Sequence, residues 1–322
     1  AAMTGAGAAT TAAVGGIMIP SMEEEGYDAG FASAIQTMGG IFGPIIPPSV
    51  LMVLYAVASG ESVGDMLLAG LLPGLFLGLV LIVVVVMLCM RKGYKGSGRF
   101  SGRAAVKAFG DAFFALLAPV IILGGIYSGF MTPTEASAVC CFYCLLVGLF
   151  VYREIKITQV CKIVYDGVKS AAGIMIIVAA TQVFGWVITR AGIPQTVAKM
   201  FTSSISSPTV FLFAVCLILL VAGCFIDAVP ALLIFAPIFC PTAEAYGIDM
   251  VHFGVVMVIV LCIGLATPPV GINLYVASSV GGQPVHKIIP HLPIPLLAIT
   301  LGTIIVVLVP QITTLLPALV NG

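Results

Sequence analysis

Residues 40–49 read Gly40-Ile41-Phe42-Gly43-Pro44-Ile45-Ile46-Pro47-Pro48-Ser49, and the proline pair returns in Ala266-Thr267-Pro268-Pro269-Val270-Gly271-Ile272-Asn273-Leu274. Both pairs lie in the middle of long apolar segments. A proline inside a helix lacks the backbone donor and clashes with the carbonyl one turn back, so two in succession interrupt the helix and strand several carbonyls. What must then satisfy those carbonyls depends on the surrounding solvent.

The composition identifies that solvent. Of 322 residues, 61% are apolar and only 8% charged, with a mean hydropathy of +1.21. A water-soluble chain of this length needs a surface about a quarter charged. Lipid is therefore the outer solvent, and the stranded carbonyls must be met by protein, enclosed water or an ion.

Arg91, Lys92, Lys95, Arg99, Arg103 and Lys107 form a basic run without an acid, flanked by apolar stretches such as Leu75 to Met90. This is the mark of a cytoplasmic loop and not of a nucleic-acid patch. A second charged stretch, Tyr152 to Lys169, is also net positive and reads as a loop on the same side. Between them, Ala112 to Phe130 and Pro133 to Val151 are each 19 residues, near the ~20 needed to cross hydrocarbon. Their junction, Thr132-Pro133-Thr134-Glu135, carries the hydroxyl, proline and glutamate of a helix start. The nine cysteines suggest neither a disulfide framework nor a zinc site. No phosphate loop, nucleophile elbow or metalloprotease motif is present, so the chain reads as neither an ATPase nor another enzyme.

Position n matches position n+221 repeatedly. Ile17, Pro20, Glu23, Gly26, Asp28, Gly43, Pro47, Pro48, Ala56 and Gly60 equal Ile238, Pro241, Glu244, Gly247, Asp249, Gly264, Pro268, Pro269, Ala277 and Gly281. Such identities, concentrated in proline, glycine and acidic residues, imply two related structural units. With the span Met66 to Met90 ending at the basic loop and another from Ala171 to Thr189 starting inside, Glu23 falls inside and Glu244 outside, so the units are inverted. Val210 to Gly223 and Ala228 to Phe239 are too short for ordinary crossings and suggest a re-entrant hairpin turning at Gly223-Cys224-Phe225-Ile226-Asp227. Ala1 to Ile19 then forms the turn and second arm of the equivalent first hairpin. The first arm is expected upstream, since the chain opens in small residues with no signal-like flank.

A broken helix paired with a re-entrant hairpin, twice and inverted, is the recipe for a midplane site in which carbonyls hold sodium and helix starts face an anion. The predicted sodium ligands are Gly5, Gly7, Pro47, Pro48, Ser49, Gly223, Asp227, Thr267, Pro268 and Asn273. The predicted substrate contacts are Asp227, Thr4, Thr10, Ser49, Asn273 and Arg190; Thr11 is a further hydroxyl of the first turn. Glycines allow close backbone approach, and hydroxyls are hard oxygen donors suited to a small cation. A carboxylate at membrane depth, as expected for Asp227, is costly unless used, although it also suits an N-cap. Arg190 could meet an anion or snorkel to headgroups. His252, His286 and His291 are too scattered for a ligand set and read as near-surface residues.

Taken with Thr132-Pro133-Thr134-Glu135-Ala136 and the Gly223 to Asp227 turn, the two proline segments resemble the large membrane subunit of tripartite ATP-independent periplasmic (TRAP) transporters, the DctM-like family. The resemblance extends over essentially the whole chain. It implies an all-α polytopic protein of the bacterial inner membrane, built from inverted repeats with re-entrant hairpins and broken transmembrane helices, and working as a sodium symporter by an elevator mechanism. It further implies a small four-helix membrane subunit (DctQ-like) and a periplasmic binding protein that delivers an organic acid of the C4-dicarboxylate or sialic acid type. Family members commonly carry Met where Cys224 stands and Ser or Thr where Ala228 stands. The expected division is 1–60 as the first transport-domain unit, 61–207 as scaffold and connecting helices, 208–282 as the second transport-domain unit and 283–322 as a C-terminal transmembrane helix. The alternatives are a sodium/dicarboxylate carrier independent of a binding protein, an ion channel, or a structural membrane subunit.

Overall fold

The computed structural model describes residues 5–94 and 102–321. Among them the chain is all-α, and contacts divide it into a larger unit, Ala1–Ser97 with Gly185–Gly322, and a smaller one, Gly98–Phe184. Five helices are long and apolar enough to cross a bilayer. A sixth span is a bent pair, Val285–His291 with Pro293–Leu308, at 55°.

The larger unit opens with α1 (Gly7–Glu24), α2 (Ala29–Gly40), α3 (Val50–Ser59) and the long α4 (Val63–Lys92). After the smaller unit's α5 (Gly102–Tyr127), α6 (Pro133–Leu146) and most of α7 (Ile157–Arg190), it resumes with α8 (Ile193–Ser204), α9 (Pro208–Phe225), α10 (Ala228–Ala245), α11 (Met250–Gly264) and α12 (Ile272–Gly281). It ends with α13 (Val285–Ile288), a 3-10 turn over Ile289–His291, α14 (Pro293–Leu308) and α15 (Gln311–Asn321).

The repeat seen in the sequence is a repeat of structure. Moved by 221 positions, the bounds of α1 become those of α10, and α2 and α3 fall on α11 and α12. Each copy reverses through a glycine in the left-handed region, Gly26 at φ 84° and Gly247 at φ 68°. Each then caps its next helix with an aspartate, as Asp28 Oδ1 accepts from Phe31 N–H and Asp249 Oδ1 accepts from His252 N–H, both at 2.8 Å. Both proline pairs interrupt helix: α2 ends at Gly40 and α3 begins at Val50, while α11 ends at Gly264 and α12 begins at Ile272. The proline–proline bonds are cis in both copies.

The copies interlock by exchanging second halves. Helix α12 packs on α1 and α2, whereas α3 packs on α10 and α11. Tyr55 of α3 fixes one exchange: its ring lies against Gly254 and its hydroxyl donates to the Met250 carbonyl at 2.8 Å. Lipid gives helices no hydrophobic reason to associate, so such packing relies on small residues that admit a neighbour closely. Helix α11 is the centre of the unit, buried at every residue from His252 to Gly264.

Several local expectations change. Of the stretch read as a loop from Tyr152 to Lys169, the part from Ile157 is helix, continuous through Arg190. Its charges are spaced by four or so residues, as in Lys162, Asp166 and Lys169, which suits one polar face of a helix. Helices α9 and α10 have 18 residues each, or ~27 Å, longer than the short arms expected, because Pro237 and Pro241 lie within α10 without ending it. The C-terminal segment is two helices, α14 and α15, parted at Val309-Pro310. The basic run is described only in part, since Lys95 and Arg99 lie outside the described residues.

In the smaller unit, α6 begins with the expected capping box: Thr132 N–H donates to Glu135 Oε2 at 2.8 Å and Glu135 N–H donates to Thr132 Oγ1 at 3.3 Å. A π-helical turn over Val147–Val151 extends α6 to a full span. Tyr143 and Tyr152 donate to the carbonyls of Phe114 and Asp111, each at 2.7 Å, tying α6 to α5. Only 6% of the most apolar windows of α5 and α7 is buried within the chain, and Phe109 of α5 and Met175 of α7 are exposed.

Candidate functional site

The larger unit holds two loci, one at each break. At the first, Gly5 stands in the left-handed region (φ 62°) and its carbonyl accepts from Val50 N–H at 3.4 Å, so the turn before α1 is joined to the start of α3. A methyl group added at Gly5 would lie 3.0 Å from the Pro48 carbonyl oxygen. Ser49 caps α3: its hydroxyl accepts from Met52 N–H at 3.2 Å and donates to the Pro44 carbonyl. That carbonyl is among those the broken helix leaves over, so the predicted shortage is here met partly by a side chain.

Thr10 and Thr11 are buried beside this turn, their hydroxyls donating to the Ala6 and Gly7 carbonyls at 2.9 and 3.0 Å. Thr10 Oγ1 lies against Gly43, and Thr11 Oγ1 against Gly40. With its proton committed, the Thr11 hydroxyl retains lone pairs, the property a hard cation uses.

The second locus repeats the backbone arrangement. Gly271 N–H donates to the Cys224 carbonyl at 3.1 Å, as Val50 N–H does to Gly5, although the acceptor lies two residues earlier in the repeat register. A methyl group at Gly264 would come within 2.6 Å of the Gly223 backbone. Only paired glycines allow that approach. Thr267 donates back to the Ile263 carbonyl at 2.7 Å.

Asn273, near the start of α12, joins the two. Its N–H donates to the Leu265 carbonyl at 2.9 Å within the second copy, while its side chain enters the first. A methyl group at Gly7 would lie 3.0 Å from Asn273 Oδ1, and one at Gly40 would lie 3.0 Å from Nδ2. The residue is fully buried, and neither side-chain polar atom has a hydrogen-bond partner. A buried amide without partners costs about 1–3 kcal/mol. Such an exception to the rule that buried polar groups are paired leaves the amide open to an enclosed water or a ligand.

Of the predicted site residues, Gly5, Gly7, Thr10, Pro47, Pro48, Ser49 and Asn273 meet at the first locus, while Gly223, Thr267 and Pro268 meet at the second. Asp227 is exposed at the rim as the N-cap of α10, accepting from Val229 N–H at 3.4 Å. Arg190 is also exposed, with its guanidinium 5.4 Å over the Trp186 ring. Thr4 lies outside the described residues. Gly40, Gly264 and the Cys224 carbonyl belong to the loci although they were not predicted, and the match of Gly43 to Gly264 was the available signal. His252 is not near-surface: it is buried, with Nδ1 2.8 Å from Thr313 Oγ1. No group of three His, Cys, Asp or Glu residues could hold a metal among the described residues.

The family model for the DctM component of tripartite ATP-independent periplasmic transporters matches residues 1–321. The chain belongs to that family. It is a transporter permease and not an enzyme, and its spans make it a multi-pass protein of the bacterial inner membrane. Among similar proteins, the C4-dicarboxylate TRAP transporter large permease protein DctM of Pseudomonas aeruginosa is 42% identical over 317 residues, covering 98% of the permease and 74% of the relative. The sialic acid TRAP transporter large permease protein SiaM of Vibrio cholerae is 38% identical over 320 residues, covering 99% and 75%. The isethionate TRAP transporter permease protein DctMQ of Oleidesulfovibrio alaskensis is 38% identical over 324 residues, covering 99% and 49%. Transporters of this family are ion-coupled secondary carriers that work with a small membrane subunit and a periplasmic binding protein.

Proposed function

We propose that the permease carries an organic acid inward with sodium, and that the two loci are its ion and substrate site. The carrying observation is Asn273: a fully buried amide, without partners, placed by one structural copy against the glycines of the other. Its Oδ1 suits a sodium ion shared with the Thr11 hydroxyl and the carbonyls around Gly5 and Pro48. A second sodium ion sits at Gly223, Thr267 and Pro268. The substrate carboxylate lies between the ions, toward Ser49, Asn273 and Asp227, with Thr4 on the same side and Arg190 as an outer contact. Oxygen donors without thiolate or imidazole match a hard monovalent cation.

Sodium and substrate then reinforce each other, because each neutralises and orders what the other needs. The two copies are inverted across the membrane, their hairpins are re-entrant, and the body that carries them slides as an elevator against a scaffold. The sequence division assigned 61–207 to that scaffold. The packing of α4 with α11, α14 and α15 supports placing α4 on the moving side and the smaller unit on the static one. The uncovered apolar faces of α5 and α7 suit a DctQ-like small subunit. The relatives named for C4-dicarboxylates, sialic acid and isethionate all take organic acids, which supports a substrate of that class.

The test is uptake into proteoliposomes containing the permease and its small subunit, with an imposed sodium gradient, a panel of organic acids and the cognate binding protein. Accumulation of one acid that collapses without either sodium or the binding protein is expected. Accumulation that needs no binding protein would favour an independent carrier. Sodium-independent uptake would remove the ion assignment.

A further inference from the structure

At one end of the larger unit, three segments distant in sequence meet around His291. His291 Nε2 lies 3.0 Å from Asp28 Oδ1, in the reversal between α1 and α2. Its Nδ1 lies 3.2 Å from Nζ of Lys92, the last residue of α4. The Lys92 ammonium sits 4.7 Å over the Phe31 ring and 5.9 Å over that of Tyr94. Phe31 presents its ring edge-on to His291 at 5.8 Å, and Asp28 N–H donates to Tyr94 Oη at 3.2 Å.

These partners fix the tautomer. An ammonium can only donate, so Nδ1 must accept from Lys92, and the ring proton is on Nε2, donated to Asp28. We infer that His291 is a proton-operated latch: the neutral ring bridges Lys92 to Asp28, and protonation at Nδ1 expels Lys92 while keeping Asp28. A proton on Nδ1 removes the only acceptor available to Lys92 from the ring and sets two positive charges 3.2 Å apart. The Asp28 contact meanwhile becomes charge-assisted. Histidine is the side chain whose ordinary charge change falls between pH 5 and 8.

The latch reaches the functional locus through a helix. Asp28 Oδ1 also accepts from Phe31 N–H at 2.8 Å, so the atom that holds His291 is the cap of α2. The far end of α2 is Gly40, which lies against Thr11 and Asn273. Acid therefore removes one of the ties between the end of α4 and the start of the helix that carries the first break, while the cap and the Phe31 and Tyr94 contacts remain. His291 is 22% exposed and Asp28 53%, so protons reach the pair from solvent.

The titratable groups of the surrounding elements, among the described residues, are Glu23 and Glu24 at the end of α1, Glu25, Tyr27 and Asp28 in the reversal, Cys89, Arg91 and Lys92 on α4 with Tyr94 after it, and His286 and Lys287 on α13. Helices α2 and α14 contribute none. His286 is thus the internal control.

The experiment is hydrogen exchange of the full chain in lipid nanodiscs at pH 7.5 and 5.5, corrected for intrinsic exchange and followed in peptides over 85–94. The wild type should exchange about three- to tenfold faster at the lower pH, the effect of losing one charge-assisted, partly exposed hydrogen bond. His291→Gln, which keeps a donor and an acceptor but does not titrate, should show no such change. Lys92→Met, which keeps the apolar stem, should be fast at both pH values. His286→Gln should respond as the wild type does. A response that survives in His291→Gln, disappears in His286→Gln, or is absent from the wild type overturns the latch. The readout needs no substrate, so its failure is separate from failure of the transport reading.

Discussion

At the first break Ser49 caps α3, and the connecting residues are buried apart from the partly exposed Ile46 and Pro48; at the second, the corresponding cap position is Val270, and Pro269 and Val270 are exposed. The backbone is nonetheless treated alike, with a turn carbonyl accepting from the start of the following helix in both copies. What differs is chemistry. Thr10 and Thr11 correspond to Ala231 and Leu232, Ala6 corresponds to Asp227, and Met52 to Asn273. The fold thus asks for the same glycines and prolines twice, while polar groups are divided between the copies. Exchange of α3 and α12 then brings a polar residue of the second copy, Asn273, against Gly7 and Gly40 of the first, so the candidate site draws on both copies.

The sharpest way to break this comparison is to truncate both members of the pair Met52 and Asn273. Met52→Ala removes a fully buried side chain packed against Gly70, and should cost about 2–5 kcal/mol. Sodium dependence of whatever transport remains should persist. Asn273→Ala should lower sodium-dependent uptake at least roughly tenfold, the effect of about 1.4 kcal/mol or more. It should leave the thermal midpoint in detergent close to the wild type, because the lost amide had no partner. If Asn273→Ala unfolds the permease and uptake per folded molecule is normal, the amide is structural.

The next comparison concerns the glycines at the breaks. At Gly264 an added methyl group meets the Gly223 backbone, which cannot step aside. At Gly43 it meets Thr10 Oγ1, which can rotate, although the Ala6 carbonyl oxygen at 2.9 Å cannot. Gly264→Ala should therefore cost about 3 kcal/mol and Gly43→Ala nearer 1, both within the usual range for overpacking. Thermal unfolding followed by size exclusion checks the order. Equal losses would mean that the two turns are equally yielding.

Much of this was legible in the sequence because it rests on local rules. The proline pairs break helices wherever they stand, and the shift of 221 residues that carries α1 onto α10 was visible in Pro20, Glu23, Gly26 and Asp28. The capping box of α6 is likewise a four-residue property. Partnership across the chain was not legible. Asn273 was recognisable as polar residue beside a break, but nothing periodic reveals that α12 crosses to the other copy. The three histidines seemed too scattered to act together, and they are; His291 instead finds Asp28 and Lys92. The start of α7 read as a loop because charge at a helix end resembles charge in a connection.

A smaller effect tests whether the hydroxyl at the first break matters to the fold. Ser49→Ala removes the cap of α3 and should cost about 1 kcal/mol, whereas Val270→Ala, at a position with no cap to lose, should cost less. Thermal midpoints of the two variants decide, and a larger loss at Val270 would mean that the cap is immaterial.

The smallest effect lies where the two copies meet in charge. Glu61 follows α3, and its counterpart 221 residues on is the neutral Gly282. Burial pushes the Glu61 carboxyl above its usual range, and the nearby Asp249, Asp65 and Glu244 add to the rise. The folded chain therefore holds this proton more tightly than the unfolded chain does. The resulting stability is complete below the ordinary carboxylate range and is lost as pH rises through the folded value. Glu61→Gln, which imitates the neutral acid at every pH, should melt slightly higher than the wild type at neutral pH and equally near pH 4. Solvent screening at this partly exposed position limits the gain to about 0.5 kcal/mol or less. A difference that persists at low pH would trace the effect to packing, and a lower melting point at neutral pH would show that the carboxylate is held by an attractive partner.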